Sequence, residues 1–240
     1  MKLNRLSIVS TLCVFGAWLG GGVARAEDDG DVIIGRTAAG QLRIGEFIPD
    51  EHIVPLPCAS GLFQGWALNE PGFDHLVDPN GPADFFPLET GAQVRIVCLV
   101  IDPAFRAISP SFVIIDAPGE SVLLGNQGLH LHLTWHINSA DPAFYPNQTD
   151  WYATFKLIDT GSTGYAESGP FTFRFTNVNC LYGDINDDGV RDGRDIQSFV
   201  NILLDPGSAM DRQRCLADCN RDCGVTPMDV PAFVDTLLRA

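Results

Sequence analysis

Two stretches near the C-terminal end of the chain repeat each other at an offset of 34 residues. The first is Asp184-Ile185-Asn186-Asp187-Asp188-Gly189-Val190-Arg191-Asp192-Gly193-Arg194-Asp195, with oxygen-bearing side chains at positions 1, 3, 5, 9 and 12. In the second, Asp218, Asn220, Asp222, Thr226 and Asp229 occupy those five positions. The apolar residues that follow keep the offset, as Ile196/Val230, Phe199/Phe233, Val200/Val234, Leu203/Leu237 and Leu204/Leu238. Such a repeat constrains the fold more than any other feature of the chain. Each copy must be a tight polar loop leading into an amphipathic helix.

The loops have the composition of calcium sites. Calcium takes six to eight oxygen ligands, and residues 1, 3 and 5 can wrap it if the chain turns sharply at position 6. Position 7 then offers its carbonyl, position 9 a ligand often reached through water, and position 12 a carboxylate. The first loop has Gly189 at position 6, Val190 at 7, Asp192 at 9 and Asp195 at 12, departing from the EF-hand pattern in having aspartate at the last place. The second has Cys223 at position 6 and Gly224 at 7. A cysteine there would need a positive φ, which costs of order 1 kcal/mol, so the second site is expected to be the weaker. Asp192 and Thr226 could also be plain helix N-caps, with Pro227 suited to a first helical position.

Two short calcium loops, each followed by one helix and without an obvious entering helix, resemble the dockerin type I domain. The likeness covers about Gly183 to Leu238 and rests on Gly183-Asp184-Ile185-Asn186-Asp187-Asp188-Gly189 with Asp195-Ile196, and on Ala217-Asp218-Cys219-Asn220 with Asp229-Val230. It implies calcium held by Asp184, Asn186, Asp188, Val190, Asp192 and Asp195, and by Asp218, Asn220, Asp222, Gly224, Thr226 and Asp229. It also implies a cohesin-like protein partner, which in the family is read largely by loop positions 10 and 11. Here those positions are Gly193-Arg194 and Pro227-Met228, not the small hydroxyl pair common in the family.

Residues 1–26 read as an export signal: Lys2 and Arg5, the apolar run Leu6–Leu19, then Ala24-Arg25-Ala26. The run is short for a membrane span. Without Lys2, Arg5 and Arg25 the net charge moves from −15 to −18, and Lys156 is the one lysine left. Nucleic acid is thereby disfavoured as a partner, because phosphate binding needs a basic face. A secreted or cell-surface location follows, with no membrane span in the mature chain.

Export also makes disulfides the natural state of Cys58, Cys98, Cys180, Cys215, Cys219 and Cys223. Cys58 and Cys98 stand apart from the rest and are expected to pair. The other four are expected to brace the 34-residue repeat, with their pairing open.

Between Asp31 and Val178 the chain reads as strands. Gln41–Phe47, Gln93–Ile101, Ser111–Ile115, Ser121–Leu124, Leu129–Ile137, Trp151–Ile158 and Pro170–Val178 are short runs rich in β-branched or aromatic residues, many alternating apolar with polar. Turn residues fill the gaps, as in Asp78-Pro79-Asn80-Gly81-Pro82. The expected protein is mainly β: an antiparallel β-sandwich over 27–178, then a small α-helical calcium-binding module over 179–240.

One constellation in the β region bears on chemistry. If Leu129–Ile137 is one strand, His130, His132, Thr134 and His136 share a face, opposite Leu131, Leu133 and Trp135. His130, His132 and His136 are therefore candidate ligands for zinc or copper, although the same pattern suits a solvated polar face. The segment also loosely resembles a His-x-His-x-x-Trp strand of some bacterial surface-anchored β-domain proteins. No Gly-x-Ser-x-Gly elbow or phosphate-cradling glycine loop is present, and no catalytic residue is nominated. Trp66, Trp135 and Trp151 read as packing residues or as a sugar-stacking platform. Three functions remain open: extracellular assembly through the calcium module, a polysaccharide-binding or polysaccharide-degrading component (a glycoside hydrolase if enzymatic), and a histidine-based metal-binding surface protein.

Overall fold

The structure, a computed structural model, describes residues 30–239 apart from 47–48, 60, 79–83, 146–147 and 179. The export signal at 1–26, the turn around Asn80 and the linker residue Asn179 lie outside the described residues. Fourteen strands come first in the chain: β1 Val32–Arg36, β2 Leu42–Glu46, β3 Ile53–Pro55, β4 Cys58–Ala59, β5 Gly65–Leu68, β6 Phe73–His75, β7 Val94–Ile101, β8 Phe105–Ile108, β9 Ile114–Ile115, β10 Ser121–Gly125, β11 His130–Leu131, β12 Thr134–Asn138, β13 Asp150–Asp159 and β14 Phe171–Thr176. Three helices follow: α1 Asp195–Leu204, α2 Asp211–Ala217 and α3 Asp229–Arg239. The fold is mainly β, with a few short helices at the C-terminal end.

The strands form three sheets, ordered β11-β6-β1-β2, β10-β7-β13-β14-β3 and β4-β5-β12-β8-β9. Most neighbours are antiparallel, but β1 runs parallel to β6 and β14 parallel to β3. Long connections allow this, since parallel neighbours cannot be joined by a tight hairpin. The longest strands obey the alternation in their sequences. Along Phe171–Thr176 buried and half-buried residues alternate without a break, and Trp151, Ala153, Phe155 and Leu157 of β13 all point inward.

Trp135 sits where the sheets meet. Its ring lies 6.3 Å from Phe73 of the first sheet, 4.6 and 5.2 Å from Phe173 and Phe175 of the second, and 6.5 Å from Phe105 of the third. Its indole N–H donates to the carbonyl of Pro71 at 2.9 Å, so this large side chain is buried without an orphaned donor. Trp66 and Trp151 are buried as well, at 1% and 0% exposure, which removes the surface platform considered for sugar stacking.

Three expectations are corrected here. Leu129–Ile137 is not one strand: β11 ends at Leu131 in the first sheet and β12 begins at Thr134 in the third. Cys58 does not pair with Cys98. Cys98 is on a central strand with its thiol in the core, whereas Cys58 is exposed on the edge strand β4 of a different sheet. The disulfides are instead Cys58–Cys223 and Cys180–Cys215, with Cys98 and Cys219 free. Finally, α2 does precede the second loop; seven residues with four polar or charged side chains carry little helical signal.

A second, smaller core contains Ile185, Phe199, Ile202, Leu216, Ala217 and Phe233. The rings of Phe199 and Phe233, equivalent in the repeat, stack with centroids 4.1 Å apart. The other apolar residues that keep the 34-residue offset do not all join them. Ile196, Val200, Val230 and Val234 are exposed, and Ile202 takes a buried place instead. Among the described residues no helix is long and apolar enough to cross a membrane.

Candidate functional site

The two loops are folded alike, bond for bond. In the first, the carboxylate of Asp184 accepts from the N–H of Asp188 at 3.1 Å and of Gly189 at 2.8 Å. In the second, Asp218 accepts from Asp222 at 3.0 Å and Cys223 at 2.9 Å. Asp195 spans its loop, accepting from Asn186 N–H at 3.0 Å and Asp192 N–H at 2.9 Å. Asp229 accepts from Asn220 at 3.0 Å and Thr226 at 2.8 Å. Asn186 donates to Asp188, and Asn220 to Asp222. Val190 and Gly224, at position 7, each donate an N–H to the position 5 carboxylate at 3.0 Å. Asp192 and Thr226 accept from the N–H two residues on, which orients the first turn of each helix.

Position 6 has a positive φ in both copies, +85° at Gly189 and +67° at Cys223. The cysteine therefore does not distort its loop, because the surrounding hydrogen bonds hold it in the conformation glycine adopts more easily. It also does something glycine cannot: its sulfur is bonded to Cys58 at the edge of the third sheet. The junction is lined by Pro55, Pro57, Cys58, Arg212, Cys223 and Val225 around a cleft of about 670 Å³.

The electrostatics of the loops point to a cation. Asp184, Asp195, Asp218 and Asp229 are all buried, at 1%, 0%, 4% and 0% exposure. Among the described residues the ion pairs of this region go to Asp187, Asp192 and Asp235 at the surface and none to these four. Burying a charge is costly unless it is paired or coordinates a metal. The strain shows at Asp218, whose carboxyl is pushed up to about 7, first by burial and further by the charges of Asp229 and Asp222. Burial also raises Asp229. An all-oxygen donor set with surplus negative charge is of the kind that could hold a hard divalent cation.

The histidine constellation is rearranged. His130 and His132 meet, with Nε2 atoms 3.3 Å apart, but His136 does not join them. It lies in the third sheet, 3% exposed, its Nε2 on the carbonyl of Gln64 and its ring edge-on to Phe63 at 5.5 Å. Burial lowers its pKa, so it is held neutral. The break at residues 132–133 separates it from the pair. In its place the structure brings in Asp31, ahead of β1, within 4.8 Å of the nitrogens of both His130 and His132. No local pattern in the sequence marked Asp31; it comes close because β6 lies between β1 and β11.

The chain matches no protein-family model, and it has no significant match among curated proteins or solved structures.

Proposed function

We propose that residues 179–240 form a dockerin-like module with two calcium sites, which fastens an N-terminal, mostly antiparallel β-sandwich into an extracellular or cell-surface assembly. The observation that carries the reading is the set of four buried aspartates that make no ion pair among the described residues, arranged alike in the two loops. Calcium would be held by the oxygens of Asp184, Asn186, Asp188, Asp192, Asp195 and the Val190 carbonyl, and by their counterparts Asp218, Asn220, Asp222, Thr226, Asp229 and Gly224. Its chemistry here is charge neutralisation. The protein's own part is to hold each loop closed and to deliver α1 and α3 onto the Phe199–Phe233 stack, so that binding energy becomes folding energy.

A protein partner is supported by what the helices leave uncovered. Ile196, Val200 and Leu204 line one face of α1, and Val230, Val234 and Leu238 line the equivalent face of α3. Spaced at i, i+4 and i+8, each trio forms a stripe, and the repeat presents it twice. Exposed apolar stripes of this kind mark protein contacts. A cohesin-like partner fits this two-faced display. The carbohydrate-active alternative is weaker, since its tryptophans are in the core. Two disulfides agree with an extracellular location.

Calorimetric titration of calcium into the full chain, with circular dichroism alongside, tests the module. Two sites with a gain of helix are expected, and Asp184→Ala and Asp218→Ala should each remove one. Absence of binding at millimolar calcium would overturn the reading. For the assembly role, a cohesin domain should be retained in calcium and released by chelator. Val200→Glu with Val234→Glu should abolish retention while calcium stoichiometry stays at two.

A further inference from the structure

The two imidazoles at the end of β11 are arranged as acceptors facing each other. Nδ1 of His132 has two acceptors in reach, the carbonyl of Asn69 at 3.2 Å and Oε1 of Glu70 at 3.1 Å. A ring proton on Nδ1 satisfies either of them and leaves Nε2 free to act as an acceptor or ligand. Nδ1 of His130 likewise faces carboxylates, Asp74 Oδ2 at 3.5 Å and Asp31 Oδ2 at 4.0 Å. Asp74 is held in turn through its other oxygen by His75, at 2.7 Å from the backbone N–H and 2.8 Å from the ring. With the ring proton on Nδ1 in both histidines, the two Nε2 atoms point lone pairs at one another across 3.3 Å. That contact is repulsive unless something positive lies beside both.

A third donor completes the arrangement. Asp31 is buried, its Oδ1 accepting the N–H of Gly72 at 2.8 Å while Oδ2 lies 3.7 Å from His132 Nε2. Gly72 makes this closeness feasible: a Cβ there would fall 2.6 Å from His132 Nδ1 and 2.9 Å from Asp31 Oδ1. The surroundings are acidic throughout, with Glu70 and Asp74 beside the trio. Zinc binds imidazole nitrogen and carboxylate oxygen at roughly 2.0–2.2 Å, so the ligands of a tetrahedral ion stand about 3.3–3.5 Å apart. The separations of 3.3 and 3.7 Å are of that size.

We propose that Asp31, His130 and His132 form a binding site for a divalent transition metal of the zinc class, separate from the calcium loops. The ligand atoms are the two Nε2 atoms and Asp31 Oδ2. Glu70, Asp74 and the Asn69 carbonyl hold the rings in the ligating tautomer, as outer partners of metal-bound histidines do. The His130 side chain is 59% exposed, so the ion is reached from solvent and its fourth position is left to water.

The test is a zinc titration of the full chain by calorimetry with calcium in excess, so that the acidic loops are occupied. One equivalent of zinc is expected. Affinity should fall at least tenfold in Asp31→Asn, which keeps an acceptor for Gly72, and binding should be lost when His130→Ala and His132→Ala are combined. His52→Ala, a histidine outside the cluster, should leave it unchanged. Cobalt in place of zinc should give the strong visible absorption of a tetrahedral ion in the wild type and not in the double variant. If the double variant fails to fold by circular dichroism, Asp31→Asn and cobalt absorption in the wild type still decide the matter. No saturable zinc binding, or binding that neither Asp31→Asn nor the double variant weakens, would overturn the proposal and leave a proton shared by the two rings.

Discussion

Cys58 and Cys223 are joined by a disulfide across 165 residues, tying the edge of a β-sheet to position 6 of the second repeat loop. The bond lies at one of two non-glycine positions of that loop with a positive φ, +67° at Cys223 beside +59° at Arg221. Through it Cys223 packs against the larger core.

Peptide mapping under non-reducing conditions should recover Cys58–Cys223 and Cys180–Cys215 and no Cys58–Cys98 linkage. Loss of a long-range disulfide costs about 2–5 kcal/mol. The pair Cys58→Ser with Cys223→Gly should accordingly melt at lower temperature. It should still bind two calcium ions, because glycine adopts the position 6 conformation more easily than cysteine. Loss of the second site in that pair would mean that the tether, not the loop, organises the ligands.

The two free thiols should be inert in the native protein. Cys98 is pushed up to about 11 by burial and the charge of Glu120, and Cys219 to about 12 by burial and the charges of Asp229 and Asp218. The thiolate is the reactive form. Alkylation at neutral pH should modify neither until denaturant is added, and fast labelling of Cys98 in the folded chain would contradict its place in the core.

Stability of the calcium-free protein should fall as pH rises. A carboxyl whose pKa is higher in the fold than in the open chain destabilises the fold when ionised. For Asp218 the window runs from its open-chain value of about 4 to about 7 in the folded chain. In chelator, the helical signal should melt at lower temperature at about pH 8 than at about pH 5; with calcium the order should reverse, as ligation favours the ionised form. Equal melting at both pH values in chelator would show that Asp218 is not ionising inside the fold.

Phe199→Ala should cost about 3–5 kcal/mol, since it removes one ring of the 4.1 Å stack at the centre of a small core. Val200→Ala, beside it but on the exposed stripe, should cost about 0.5 kcal/mol or less. Chemical denaturation with calcium present measures both. Similar losses would mean that the α1 stripe is covered within the chain.

What the sequence determined by itself was local. Twelve residues suffice to specify a tight polar loop, so both loops and the helices after them could be read directly from the Asp184 and Asp218 repeats. Period-two alternation likewise marked the strands that became β7, β13 and β14, because the pattern is read within one strand. The strands β1, β3, β4, β5, β6 and β8 and the helix α2 went unseen, since each is short or lacks a clear alternation. Tertiary structure decided what depends on distant segments meeting. It split Leu129–Ile137 between two sheets, sent His136 into the third sheet beneath Phe63, and placed Asp31 beside His130 and His132. It also gave Cys58 to Cys223 rather than to Cys98. Sheet order governs each of these outcomes, and that order is set by the packing of all three sheets around Trp135, which no single stretch of sequence encodes.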